Sequence, residues 1–187
     1  MKKLLGLLLL FPMMLWGQGP DENIKFIDHV YVDNIKSVKL NVANLPLSTP
    51  IINLNSRIPL MLSFDDLDGE VKNYIYTVQH CDINWEPSNL ADNEYLDGYL
   101  DDDIDEYSFS FKTNQEFVHY ELLLPNEDFQ WTKSGNYLLK VYDEDIDRKL
   151  VITRRFVVVD PKVSIDARVV VPAMVSKSKT HQEIDFS

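Results

Sequence analysis

Almost every apolar run in this chain repeats with a period of two, and almost none repeats with the period of a helix. Leu60, Leu62 and Phe64 share one face of such a run, and Tyr74, Tyr76 and Val78 share another. Tyr120, Leu122 and Leu124 follow, then Tyr137, Leu139 and Val141, then Phe156 and Val158. Lys36, Val38, Leu40 and Val42 alternate with Ile35, Ser37, Lys39 and Asn41, and residues 24–32 also read as a strand. Strand side chains alternate between faces, so each run can bury its apolar face only within a sheet packed on a second layer. Turn formers separate the runs: Asp65-Asp66-Leu67-Asp68-Gly69 reads as a hairpin tip, Ser134-Gly135-Asn136 restarts the chain, and 143–147 is a polar tip. Many short strands with regular turns specify an all-β fold, an immunoglobulin-like β-sandwich, although the Cys–Trp–Cys core of antibody domains is missing.

Residues 83–106 interrupt the pattern. INWEPSNLADNEYLDGYLDDDIDE is long, acidic and aromatic, which marks a structured excursion or a binding loop. A helical turn at 88–91 is expected there, with Ser88 as its cap after Pro87. Val157-Val158-Val159-Asp160-Pro161 reads as a domain exit, because proline cannot continue the pairing. The β-sandwich domain is accordingly expected over 18–160. Residues 161–187, in which Val163, Ile165, Ala167 and Val169 alternate, hold two strands at most and read as the beginning of a second β domain, truncated here. The competing reading is one sandwich that uses those strands itself.

The leader MKKLLGLLLLFPMMLWGQG has a positive start at Lys2 and Lys3, an apolar stretch over 4–16, and the small residue Gly17. That is the pattern of a cleavable signal peptide over 1–17, and the apolar stretch is shorter than the roughly 20 residues of a membrane span. The leader does not end in the cysteine of a lipoprotein. The chain holds 18 basic and 30 acidic residues, a net charge of −12. Such a surface repels phosphate backbones and anionic bilayers, which argues against nucleic acid and an anionic membrane surface as partners, and no second apolar run after the leader is long enough for direct membrane insertion. Cys81 is the one cysteine of an exported chain, so the core and not a disulfide must hold the fold, and the thiol reads as a small buried side chain.

No nucleotide, metalloprotease or hydrolase motif occurs, so no catalytic, cofactor-binding or metal-binding residue is assigned and the chain is read as a non-enzyme. His80 adjoins Cys81, but neighbours on a strand point to opposite faces and cannot form a dyad; His80 and His119 read as structural. Three acidic clusters, at 65–68, 101–106 and 143–147, raise calcium. EF-hand spacing fails in each case tried: with Gly69 at the sixth position Phe64 falls at the first, and with Asp143 first Arg148 replaces the glycine. Solvated loop tips are the better reading. Trp85, Trp131 and the tyrosines could stack on sugar rings, which leaves an exported carbohydrate-binding module as the alternative function.

The block YIYTVQHCDINWEPSNLADNEYLDGY (74–99), followed by SFSFKT, HYELLLPNED, SGNYLLKVYDED and RRFVVVD, resembles the N-terminal domain of the type IX secretion system plug proteins, a family formerly known as a domain of unknown function. The resemblance runs from about residue 30 to 160 and is one of overall pattern. It implies a β-sandwich protein without enzymatic activity, periplasmic and associated with the outer membrane. It further implies that the partner is the large outer-membrane β-barrel translocon, whose periplasmic mouth such proteins close when it carries no cargo. Family members are longer than this chain and carry further domains. A stopper of this kind binds through aromatic anchors and loops, so Trp85, Tyr95 and Tyr99 in the irregular segment are the candidate partner-binding residues.

Overall fold

A computed structural model describes residues 24–187. The expected signal peptide therefore lies outside the described residues. The strands are β1 (His29–Val30), β2 (Ile35–Val42), β3 (Ile51–Asn53), β4 (Leu60–Asp66) and β5 (Tyr74–Cys81). A single helical turn, α1 (Asp92–Tyr95), precedes β6 (Leu96–Gly98), β7 (Asp102–Asp103), β8 (Glu106–Phe109), β9 (Val118–Leu124) and β10 (Phe129–Trp131). Then come β11 (Gly135–Asp143), β12 (Lys149–Val159), β13 (Ala167–Val170) and β14 (Glu183–Phe186).

Two sheets form the sandwich. One runs β2-β4-β9-β8, the other β12-β11-β5-β7, with β1 and β3 side by side along the outer edge of β12. In immunoglobulin terms these are the A-B-E-D and G-F-C-C′ sheets, with β3 pairing parallel to the last strand. The Tyr137 hydroxyl near the start of β11 donates to the Lys133 carbonyl at 2.7 Å, the geometry of a tyrosine corner. The chain is thus an all-β sandwich, and its strand order is immunoglobulin-like.

The stripes read from sequence line the space between the sheets. Leu60, Leu62, Phe64, Val118, Tyr120 and Leu124 face Tyr76, Tyr137, Leu139, Val141 and Ile152, all fully buried. Two aromatic clusters anchor the core. Phe64 stacks on Tyr120 at 5.1 Å while Tyr74 meets both edge-on, and Tyr137 stacks on Phe156 at 5.2 Å with Trp131 beside them. Each such pair adds about 0.5–1.5 kcal/mol beyond its buried area.

Several expectations are corrected. The strand over 24–32 shrinks to His29–Val30, because the Asp28 carboxylate and the Phe26 and Ile27 carbonyls bind Arg155 and Thr153 directly, in place of a ladder. β2 does not keep one alternation. Ser37, at φ 54°, lies in a bulge between Lys36 and Lys39 that shifts the phase, so Ile35 and Leu40 both reach the core. Asp65 to Gly69 is not a hairpin tip, since β4 and β5 belong to different sheets and the segment crosses between them. Nor is it all solvated, because Asp66 is fully buried. Residues 143–147 do form a hairpin tip, between β11 and β12, with Asp147 and Arg148 left-handed and Asp143 buried at its base. The helical turn begins at Asp92, not at 88, because Pro87 and Ser88 are still strapped to the end of β5 through the Ser88 N–H and the His80 carbonyl. Glu94 caps it by accepting the Ala91 N–H.

β13 and β14 pair only with each other among the described residues. Val169, Ile184 and Phe186 on this hairpin stay exposed.

Candidate functional site

The excursion 83–106 closes one flank of the sandwich and then forms two of its strands. β6 pairs with β10 as a ribbon, which brings Tyr95, Leu96, Phe129 and Trp131 over the open side of the core. The chain then adds β7 to the β5 edge of one sheet and crosses to add β8 to the β9 edge of the other. What reads as irregular in sequence is therefore a sequence of short pairings, each too brief to show alternation.

The three candidate anchors have separate fates. Tyr95 is buried, packs near His80 and Tyr137, and donates its hydroxyl to Asp92. It is core and withdraws from any contact surface in this conformation. Trp85 is half-buried at the tip of a turn closed by Asp82, whose carboxylate accepts the Asn84 and Glu86 N–H groups. Its φ of 66° is unusual for a bulky residue and aims the indole back onto the sheet, where the Arg155 guanidinium lies 4.4 Å from the ring centre. The same Arg155 holds the Phe26 carbonyl at 2.6 Å, so the stack pins the N-terminal segment to β12. Tyr99 is 64% exposed and free to meet a partner. Tyr99 shares a surface depression with Ile75, at the start of β5, whereas Trp85 follows Cys81, at its end. A strand of that length spans about 20 Å, so the fold separates these two aromatics.

Gly98 sets the position of Tyr99. Its φ is +116°, and a β-carbon there would sit 2.0 Å from the Asp128 carbonyl oxygen, a backbone atom that cannot turn aside. The Tyr99 N–H donates to that same carbonyl. Gly98→Ala is expected to cost about 1–3 kcal/mol in urea unfolding. It should also speed hydrogen exchange at the Tyr99 amide. Unchanged stability together with unchanged exchange would show that the ribbon does not depend on the glycine.

Around Tyr99 the surface is acidic. Asp101, Asp102, Asp103 and Glu144 share its depression, and Asp101 pairs with Arg148. A second groove of about 690 Å³ lies where β8 begins, floored by Pro59, Met61 and Leu123 and rimmed by Asp103, Asp105 and Glu106. Among the described residues no cluster of three or more His, Cys, Asp or Glu has metal-binding geometry.

The Cys81 thiol and His80 ring lie on opposite faces of β5, as strand geometry requires: Cys81 pairs with Asn136, while His80 packs edge-on against Tyr137. Burial pushes the thiol up to about 11, so it stays protonated and unreactive at neutral pH. His119 contacts Asp65 at 2.6 Å and Glu121 at 3.5 Å on the outer face of the other sheet.

Sequence reasoning missed the exposed aromatics of β8 and of the residues just after it. Tyr107, Phe109 and Phe111 are 47%, 64% and 79% exposed. Their period-two spacing is the same signal that marks core strands, so sequence alone could not separate them from a buried stripe.

The comparisons with known proteins agree with this architecture. No match was found among curated proteins. A crystal structure of a hypothetical protein from Parabacteroides merdae ATCC 43184 is 35% identical, with a TM-score of 0.77, over 88% of this chain and 41% of that one. The present chain therefore spans less than half the length of that relative. The model of the type 9 secretion system plug protein first domain matches residues 35–160, from the first residue of β2 to the residue after β12. The chain belongs to the type 9 secretion system plug protein family, and its sandwich is the first domain of that family.

Proposed function

We propose that the protein is a non-enzymatic plug or accessory subunit that closes the periplasmic mouth of the type IX outer-membrane translocon when no cargo occupies it. The family match over 35–160 carries this reading. The architecture suits it: a sandwich held by aromatic clusters and an inert thiol is a rigid body able to obstruct an opening. On this reading the leader is removed on export and the mature protein works in the periplasm against the outer membrane. The sandwich over 18–160 is one unit and 161–187 opens a second β domain. The exposed apolar side chains of the self-paired β13–β14 hairpin support that division, since an isolated two-stranded hairpin is marginal in water. Tyr99 and the open part of Trp85 remain the proposed aromatic contacts.

Affinity capture of the tagged protein from its native host in mild detergent, followed by mass spectrometry, tests the reading. Recovery of a very large outer-membrane β-barrel in near-equal amount is expected. Capture with no such barrel would overturn it.

A further inference from the structure

We propose that the β8 edge of the sandwich is a docking site for an extended, basic segment of a partner protein, which adds to the sheet as one more strand. The other sheet edges of the sandwich are closed. The β2 edge of the same sheet is blunted by the bulge at Ser37 and by Lys36 and Lys39. In the other sheet, β7 has two residues, and β1 and β3 cover β12 in short pieces. Such devices prevent unwanted strand pairing. β8 lacks them. The stretch from Glu106 to Phe111 contains no lysine, proline or bulge, and it carries three exposed aromatics.

The open hydrogen-bonding groups can be assigned. The Ser110 N–H bonds the Phe117 carbonyl, toward β9. Donors alternate sides along a strand, so Tyr107 and Phe109 turn their N–H and C=O groups to the open side. Their side chains share the face of Tyr120 and Val118, which are buried, but lie past the cover of the second sheet, where Tyr107 and Phe109 meet edge-on at 5.9 Å. An incoming strand would gain main-chain bonds from these two residues and apolar contact with the aromatic shelf, the pattern of strand addition.

Charge selects the occupant. Glu106 lies on the edge itself, and Asp103 and Asp105 rim the adjoining groove; none of the three forms an ion pair among the described residues. A second copy of this chain would bring the same carboxylates against them, in a molecule of net charge −12. A segment with lysine or arginine between apolar residues would place its apolar side chains on the Tyr107–Phe109 shelf and its cations on the opposite face, beside Glu106 and that rim. The β8 edge adjoins the Tyr99 depression through Asp102 and Asp103 but is proposed independently of the translocon reading, so failure of the docking proposal leaves that reading untouched.

The test uses a fluorescein-labelled ten-residue peptide with valine and lysine at alternate positions, and the same peptide with glutamate for lysine. Fluorescence anisotropy with the whole protein should show saturable binding of the lysine peptide and at least tenfold weaker binding of the glutamate one. Tyr107→Pro removes an open-side N–H, and Phe109→Ser removes shelf contact; neither changes net charge, and circular dichroism verifies that each is folded. Each should weaken binding about tenfold, and hydrogen exchange should show peptide-induced protection at the Tyr107 and Phe109 amides of the wild type. Undiminished binding by both folded variants, or protection confined to other strands, would overturn the proposal. So would a wild-type dimer that Phe109→Ser converts to monomer, because a second copy would then be the occupant.

Discussion

Replacing Asp66 with alanine is expected to lower the unfolding free energy by about 3–5 kcal/mol, because several charge-assisted hydrogen bonds to one buried carboxylate are lost together. Asp66 is fully buried where the chain crosses from β4 toward β5. Its carboxylate accepts the Tyr74 hydroxyl at 2.8 Å, the Asn34 amide at 2.7 Å and the Asp68 N–H at 3.0 Å, and it pairs with the Lys72 ammonium at 2.9 Å. Alanine would leave the buried Tyr74 hydroxyl and the Asp68 N–H without an acceptor, while Lys72 and Asn34 would keep only their bonds to the exposed Asp68 carboxylate. Urea unfolding at pH 7 measures the loss; a change under 1 kcal/mol would mean that water replaces the carboxylate and the crossover tolerates it.

The same network makes stability depend on pH. Burial pushes the Asp66 carboxyl up, but the Asp68 N–H, Lys72, Asn34 and Tyr74 together outweigh it and hold the group below its ordinary value of 3.8. A carboxylate whose folded pKa is depressed adds stability above its unfolded pKa and loses it as pH falls through the folded value. The wild type should therefore lose its advantage over Asp66→Asn progressively below about pH 4. Asp143, which burial pushes upward, titrates with the opposite sign and is itself raised by the Asp66 charge, so the comparison is repeated in an Asp143→Asn background to isolate Asp66. A gap that does not narrow on acidification would rule out the charged carboxylate as the source of the stability.

Tyr137→Ala is expected to cost a similar 3–5 kcal/mol, for a different reason. The ring is fully buried, stacks on Phe156 at 5.2 Å, and touches Trp131 and His80. Its loss opens a cavity between the sheets that the stiff β11–β12 pair cannot fill. Tyr137→Phe keeps the ring and removes only the hydroxyl bond to the Lys133 carbonyl, so it should cost about 0.5–1.5 kcal/mol. Denaturant unfolding of both variants separates packing from the tyrosine corner. Equal losses would mean that the hydrogen bond, not the ring, organises this part of the core.

Legibility followed the range of the interactions involved. The stripes at Leu60, Tyr120 and Tyr137 were legible because strand alternation is local and each run carries its own apolar face. Ile35 was not, because a bulge at Ser37 resets the alternation and no residue type there announces it. The segment 83–106 was visible as a break in pattern, yet its pairings to β10, β5 and β9 depend on residues tens of positions away. Tyr95 and Tyr99 stand four residues apart with the same side chain, and one is core while the other is 64% exposed. The ribbon makes that difference, covering Tyr95 and leaving Tyr99 beyond its end.

The sequence by itself determined the class of the fold, the strands that supply its core and the family to which the chain belongs, since each is written in order and spacing along the chain. Only the tertiary structure decided that Asp66 is a buried anchor rather than a loop-tip acid, that Trp85 stacks on Arg155, and that β8 is an open aromatic edge. Burial and edge position depend on which sheet a strand joins and what covers it. Those outcomes come from contacts between distant residues, which local periodicity does not encode.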